Sequence, residues 1–445
     1  MDSFQLIPAF GGVAWTIAAF ILALSIIVFV HEYGHYIVGR WSGIHAEVFS
    51  VGFGKVLWSK VDKRGTKWQI AAVPLGGYVK FLGDSNAASG KDGTTISKLS
   101  PEERRHTMHG APLWARAATV AAGPAFNFVM AALIFSGVSL AIGVPTDRPV
   151  VQSVSDLPFK GDLLQPGDQI LSVAGVETKD LVSFVAEVEK LPPLPSITYV
   201  IARDGKEITI EGPHPMPPRV SMVNPLTAAN AAGIRKDDVV LSIDGTPLNS
   251  FSEIRDIVDA SAGKPLEIKL WRAGDIVDVT LSPKRTDLQN SDGTFETRYL
   301  IGVTGELFFK TETRTPGVFE ALKLGTVGTY NVLANSLSGL GHIITGAIST
   351  CNVRGAIGIA QTSGAAANNG LLTFILFIAS LSTAVGMLNL FPIPVLDGGH
   401  LVFHAYEAVA RRPPNEKIFG LLMSAGFVLV ISFMIFGLTN DLFCP

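Results

Sequence analysis

Charge is scarce in this chain. Only 16% of its 445 residues are Asp, Glu, Lys or Arg, against roughly 25% in ordinary soluble domains. Cysteine is scarcer: Cys351 and Cys444 are the only two, too few for a disulfide framework or a cysteine-built zinc site. There is no basic excess, since the net charge is −3, and so no electrostatic footprint for nucleic acid. An apolar content of 48% excludes a disordered chain and argues against one large soluble enzyme.

The deficit of charge is concentrated. Residues 3–30, 117–146, 355–396 and 418–440 contain no Asp, Glu, Lys or Arg. Each block holds an apolar stretch near the ~20 residues that cross ~30 Å of hydrocarbon. Membrane spans are therefore predicted at 12–36, 116–142, 372–391 and 418–438. The first lacks the positive n-region and small-residue cleavage site of a signal peptide, so it reads as an anchor. Residues 324–353 are also uncharged, but rich in Gly, Ser, Thr and Asn, with Leu333, Leu337 and Leu340 at helical spacing. That pattern predicts an amphipathic helix lying on the bilayer rather than a fifth span.

Lys and Arg set the orientation. The first eleven residues have none, and residues 40–105 have eleven. Arg411, Arg412 and Lys417 lie between the third and fourth spans, and none follows the fourth. Basic loops stay in the cytoplasm. Both termini and the block 147–315 are thus expected outside it, and the loop 40–112 inside.

That outer block has ordinary polarity and contains a repeat. One copy runs from Leu163 through Pro166-Gly167-Asp168 and Ile170-Leu171-Ser172-Val173 to Gly175. The other runs from Ala232-Gly233-Ile234 through Asp237-Asp238 and Val239-Val240-Leu241-Ser242-Ile243 to Gly245. Each is a turn, a short apolar strand and a second turn, followed by a helix-like segment and paired strands. Both copies resemble PDZ domains of the bacterial protease-associated type, the second more closely. Residues 302–309 are expected to complete the second sheet. PDZ domains take an extended peptide or a carboxyl end by strand addition.

The chemistry-bearing residues stand where the first span ends: His31-Glu32-Tyr33-Gly34-His35. On a helix, positions i and i+4 share a face, so His31 and His35 can grip one cation. Glu32 can then reach a metal-bound water as general base. Zinc suits this set, with three protein ligands and one open position. Two structural histidines at a membrane surface would be the plain alternative, but ionisable groups at the end of a lipid-spanning helix are costly. A third ligand is sought in Asn389-Leu390-Phe391-Pro392-Ile393-Pro394-Val395-Leu396-Asp397-Gly398-Gly399-His400, at the same predicted side of the membrane. Its prolines must unwind the helix, and irregular backbone at membrane depth needs a protein-lined or watery surround. Asp397 ends the uncharged block and could be the ligand, or merely a cap of the next helix. His400 and His404 repeat the i, i+4 spacing, and a structural or supporting role is expected for them. His106 and His109 are expected to be solvated, and Cys351 to be a small packed residue.

The HEYGH and NLFPIPVLDGGH segments together resemble the site-two protease family of intramembrane zinc metalloproteases, over nearly the whole chain. The resemblance implies a membrane α-helical fold with four transmembrane helices and two inserted periplasmic PDZ domains, β-rich and of the α+β type. It implies Zn2+ on His31, His35 and Asp397, Glu32 as base, and Asn389 as a contact for substrate backbone. Gly52-Phe53-Gly54 and the run Pro74 to Phe81 match a membrane-associated hairpin. Gly76, Gly77, Tyr78, Val79, Lys80 and Phe81 are its candidate substrate edge. Gly123-Pro124 and Asn127 match a motif on the second span. The implied substrate is a single-pass membrane protein such as an anti-sigma factor, with remnant signal peptides a further class. The expected setting is a bacterial inner membrane, with the active site towards the cytoplasm.

The expected organisation is a first transmembrane helix with HExxH (1–40), a cytoplasmic-side hairpin region (41–112) and a second transmembrane helix (113–146). PDZ domains follow at 147–217 and 218–310, then an amphipathic helix and linker (311–371). The third transmembrane helix carries the LDG motif (372–400), followed by a cytoplasmic loop (401–417) and the fourth helix with its tail (418–445).

Overall fold

The structure is a computed structural model, and it describes residues 6–85, 93–159, 164–224, 227–289 and 295–444. Leu163, with which the first repeat copy begins, lies outside these residues. The chain divides into two units. One comprises residues up to 138, 318–344 and 353–444, and the other residues 139–317 and 345–352.

The first unit begins with helix α1 (Leu6–Trp41), followed by strands β1 (Ala46–Val61) and β2 (Lys67–Phe81) and by helix α2 (Leu113–Ile142). Among the described residues four helical segments are long and apolar enough to cross a membrane: Gly12–Trp41, Leu113–Ile142, Leu371–Asn389 and Glu416–Phe443. They fall on the four charge-free blocks. The 30 residues of Gly12–Trp41 rise about 45 Å at ~1.5 Å each, enough to carry the HEYGH turn to the edge of the hydrocarbon. Val13, Trp15, Ile17, Leu22, Ile26 and Phe29 on this helix remain exposed, as lipid-facing side chains are.

β1 and β2 form more than a simple hairpin. Residues 48–51 of β1 pair with 77–80 on one side and with 67–70 on the other, and 67–70 pair in turn with 58–61. The two strands therefore fold into four short segments in the order 77–80, 48–51, 67–70, 58–61. Gly52 and Gly54, at φ +89° and +85°, permit the bend that turns β1 back. Residues 77–80 end up as an outer strand, with residues 48–51 as their strand partners.

The second unit contains the repeat, and the two copies are folded alike. The elements are β3 (Val151–Val154), β4 (Gln169–Val173), β5 (Val176–Glu177), α3 (Leu181–Val188), β6 (Ile197–Arg203), β7 (Lys206–Gly212) and β8 (Met222–Val223). The second copy continues with β9 (Val239–Ile243), β10 (Thr246–Pro247), α4 (Phe251–Ala260), β11 (Leu266–Arg272) and β12 (Asp275–Leu281), then β13 (Val303–Thr304) and β14 (Phe309–Thr311). The sheets have equivalent orders, β5-β4-β6-β7 and β10-β9-β11-β12. Each has a register shift at the matching position, between Ile170 and Ser172 and between Val240 and Ser242. Each carries a two-pronged ion pair onto a buried aspartate: Arg203 on Asp168 at 2.7 and 2.8 Å, and Arg272 on Asp238 at 2.7 and 2.7 Å.

Residues 302–309 do not form one closing strand for the second sheet. Val303–Thr304 pairs with Met222–Val223, whereas Phe309–Thr311 pairs with Val151–Val154 at the first copy. Phe308 and Phe309 are buried with Ile170, Phe184 and Tyr199, because two adjacent aromatic rings find their apolar surround there. The second copy is therefore inserted within the first, and a boundary at 217/218 divides a core that closes only after residue 307.

The first unit resumes with α5 (Val318–Ile344), α6 (Ala356–Asn368), α7 (Leu371–Asn389), α8 (Asp397–Ala410) and α9 (Glu416–Phe443). α5 covers most of the uncharged block 324–353 and is not among the four spanning segments. Gly325 on it lies directly against Ala132 and Ser136 of α2. α6 had no counterpart in the sequence reading. Its Gly364 seats Thr16 of α1, while Gly355 and Gly358 at its start donate backbone hydrogen bonds to Asp441 at 2.9 and 3.0 Å. The segment 401–417, expected as a loop, is largely α8. Leu396 rather than Asp397 occupies the cap position of that helix.

Candidate metal centre

α1 brings His31 and His35 to one face, as a 3.6-residue period requires, with both histidines about nine-tenths buried. The prolines at 392 and 394 end α7 at Asn389 and force an irregular turn, out of which α8 begins at Asp397. Gly398 and Gly399 are needed in that turn because added β-carbons would meet the carbonyls of Leu390, Phe391 and Ile393. The tight turn delivers the Asp397 carboxylate to the histidines.

The three side chains form the one metal-competent cluster of His, Cys, Asp or Glu found among the described residues. Asp397 Oδ2 lies 3.1 Å from His31 Nε2 and 3.5 Å from His35 Nε2, and the two Nε2 atoms are 3.2 Å apart. Ligands at about 2.0–2.1 Å around a tetrahedral zinc lie about 3.3 Å from one another. The triangle thus has the edge length of one zinc face. Asp397 Oδ2 is buried against the two imidazole nitrogens, where a cation could take the place of their mutual contact. The donor set of two imidazoles and one carboxylate suits zinc. His31, His35 and Asp397 can hold the ion and leave its fourth position open.

α2 closes the other side. An added β-carbon at Gly123 would strike both imidazoles, so only glycine lets α2 approach the site this closely. Pro124 has no N–H for the carbonyl four residues back, which loosens the helix there. One residue before that carbonyl, Thr119 accepts a hydrogen bond from His35 Nδ1 at 2.8 Å. That bond leaves Nε2 as the nitrogen available to a metal. Asn127 contacts His31 Nδ1 at 3.3 Å.

A cavity of about 860 Å³ opens on the cluster. Glu32 lines it and accepts a backbone hydrogen bond from Val79 on the outer strand. Gly77 sits against Glu32 and Val28, where a β-carbon would be 2.9 Å from Val28 Cγ1 and 3.2 Å from Glu32 Cγ. Of the candidate substrate edge, Gly77, Tyr78, Val79 and Phe81 line the cavity with Asn389. Gly76 and Lys80 do not line it, and the Lys80 ammonium pairs with Glu47 at 2.8 Å.

The sequence reading missed several groups here. His109, expected in solvent, lines the cavity, with Nε2 buried 3.4 Å from Asp84 Oδ1. His400 and His404, for which a structural or supporting role was expected, line it too, and burial with the nearby Arg116 charge holds His404 down to about 4, hence neutral. Arg116 makes a two-pronged pair with Glu407 at 3.0 and 2.7 Å on the same wall. No sequence spacing connects Arg116 on α2 with Glu407 on α8, so that pair could not be read beforehand. Cys351 is not a free packed thiol: both cysteines are disulfide-bonded.

A metal-competent His-Glu-x-x-His turn in a bundle of membrane-length helices, completed by an aspartate from an unwound helix end, defines a polytopic membrane metallopeptidase. The peptidase family M50 model matches residues 19–433, and the chain belongs to that family, the site-two proteases. It is 33% identical over 460 residues to the regulator of sigma-E protease RseP of Salmonella typhimurium, covering 96% of this chain and 98% of that protein. With RseP of Escherichia coli it shares 32% over 458 residues, at the same coverage. A Rhizobium meliloti protein carrying a provisional zinc-metalloprotease name is 35% identical over 429 residues, 96% of each chain. The protein is a zinc metalloendopeptidase of the site-two type.

Proposed function

We propose that this enzyme cleaves a single-pass membrane protein within its transmembrane segment, with His31, His35 and Asp397 as zinc ligands and Glu32 as general base. The observation that carries the reading is the 3.1–3.5 Å triangle of ligand atoms beside Glu32, in a cavity walled by an outer strand. Bound zinc would polarise the scissile carbonyl and acidify a water. Glu32 takes the proton from the attacking water and delivers it to the leaving amine nitrogen. A helix hides its peptide bonds in its own hydrogen bonds, so the substrate must enter unwound. Residues 77–81, as the outer strand on the cavity wall, suit an added strand, and Asn389 would hold its backbone.

The relatives named for sigma-E regulation support an anti-sigma factor as substrate, in the inner membrane of a bacterium, and remnant signal peptides remain a second class. The two matched β units are read as PDZ domains outside the cytoplasm, at 147–217 with its closing strand and at 218–304, binding a peptide or carboxyl end. The positive-inside distribution of Lys and Arg supports that orientation, with both termini outside. Disulfide-bonded Cys351 and Cys444 agree with an oxidising compartment at those positions.

The test is Glu32→Gln in purified protein with a transmembrane substrate. Cleavage should be abolished while zinc content stays at the wild-type level. Cleavage that persists would remove Glu32 from the mechanism.

A further inference from the structure

Asn127 is wholly buried on α2, and its carboxamide oxygen has no hydrogen-bond partner among the described residues. Burying an amide in an apolar bundle is costly unless its groups are bonded. Among the described residues its amide nitrogen has one hydrogen-bond partner, His31 Nδ1, at 3.3 Å. Its backbone is pinned: Ser382 Oγ donates to the Asn127 carbonyl at 3.0 Å, and Gly386 lies against its β-carbon. The side chain can therefore do little except turn about its own bonds.

We propose that Asn127 is a positioning residue for zinc, accepting the Nδ1–H of His31 through its carboxamide oxygen when Nε2 binds the ion. The inference rests on the ligand assignment made above. A neutral imidazole has one donor and one acceptor nitrogen. With the Nε2 lone pair on zinc, the proton sits on Nδ1 and needs an acceptor. The Asn127 amide is the group on that atom. A half-turn about Cβ–Cγ exchanges its nitrogen for its oxygen, and no hydrogen bond to Oδ1 opposes the exchange. In the opposite sense two donors would face each other. His35 needs no such help, because the Thr119 carbonyl at 2.8 Å can only accept. One ligand is thus oriented by backbone, the other by a side chain that mutation can remove.

The experiment measures zinc affinity of the full-length protein in detergent by competition with a chelator of known strength. Asn127→Leu keeps the volume and removes the acceptor, and Asn127→Ala is the smaller second variant. Both should weaken zinc about 10–100-fold, the usual cost of losing an outer partner of a metal-bound histidine. Asn127→Asp supplies a stronger acceptor and should bind zinc at least as tightly as wild type. A merely structural role predicts the reverse order, since leucine suits an apolar bundle and a buried carboxylate does not. Wild-type affinity in both Asn127→Leu and Asn127→Ala, or an Asn127→Asp protein as weak as they are, overturns the proposal. Wild-type protein that binds no zinc would instead overturn the ligand assignment, and this inference with it.

Discussion

Gly123→Ala tests the architecture of the metal centre without touching a ligand. The added methyl would stand 2.5 Å from His35 Cε1 and 2.9 Å from His31 Cε1, where carbon atoms settle at about 3.5–4.0 Å. Either the imidazoles retreat by about 1 Å or α2 moves off α1 by a similar distance. A zinc site tolerates about 0.2 Å in its ligand distances, so the displacement is roughly five times what the ion accepts. Zinc should therefore be lost more completely than when an outer partner is removed, which costs about 10–100-fold. Helix content should hardly change, because alanine favours helix over glycine. Gly137→Ala on the same helix is the control, since a β-carbon there meets nothing within 4 Å. Zinc per protein is read by elemental mass spectrometry and affinity by chelator competition. A Gly123→Ala protein with full zinc at wild-type affinity would refute the close approach of α2 to the histidines.

Two further predictions concern the β-rich unit. Arg203→Met or Arg272→Met strands a carboxylate only 1% exposed, Asp168 or Asp238. Breaking a buried pair costs about 3–5 kcal/mol, and the quarter exposure of each arginine places the cost near the low end, about 3 kcal/mol. Limited proteolysis of the full-length protein over a urea series should show the region 139–317 opening earlier, and an unmoved midpoint would count against the pair. His214 is 4% exposed and accepts the Met216 N–H on Nδ1 at 3.1 Å. Burial holds its pKa below the usual 6.5, so the unfolded chain binds the proton first as pH falls. Its contribution is complete above about pH 6.5 and is lost progressively below it. His214→Gln should flatten the loss of stability as pH falls below about 6.5, and a slope identical to wild type would exclude His214 as its source.

The parts of this enzyme legible in its sequence are those marked by charge or by period. The four spans were visible because lipid forbids charge, and the His31/His35 pair because a helix fixes i, i+4 on one face. The repeat was visible because both strands must bury the same apolar positions. The closing strand Phe309–Thr311 was misplaced because pairing with residues more than 150 positions away leaves no local trace. α6 was hidden for a different reason: Gly, Ala, Ser and Thr give it neither charge nor a strong apolar stripe, yet those small residues are what let it approach α1 and α9.

The same argument applies at the metal centre. Its proposed ligands announce themselves by type and spacing, but the groups lying against them are a backbone carbonyl at Thr119, an uncharged amide at Asn127 and a missing side chain at Gly123. In a bundle of membrane helices such neutral groups have the advantage that they need no counter-charge and little desolvation before the ion arrives. On the ligand assignment proposed above, a histidine whose Nδ1–H is taken up by a carbonyl or carboxamide oxygen would bind zinc as an uncharged imidazole. The net charge of the site would then come from Asp397, Glu32 and the ion, in keeping with the proposal that one carboxylate binds the metal while the second takes a proton.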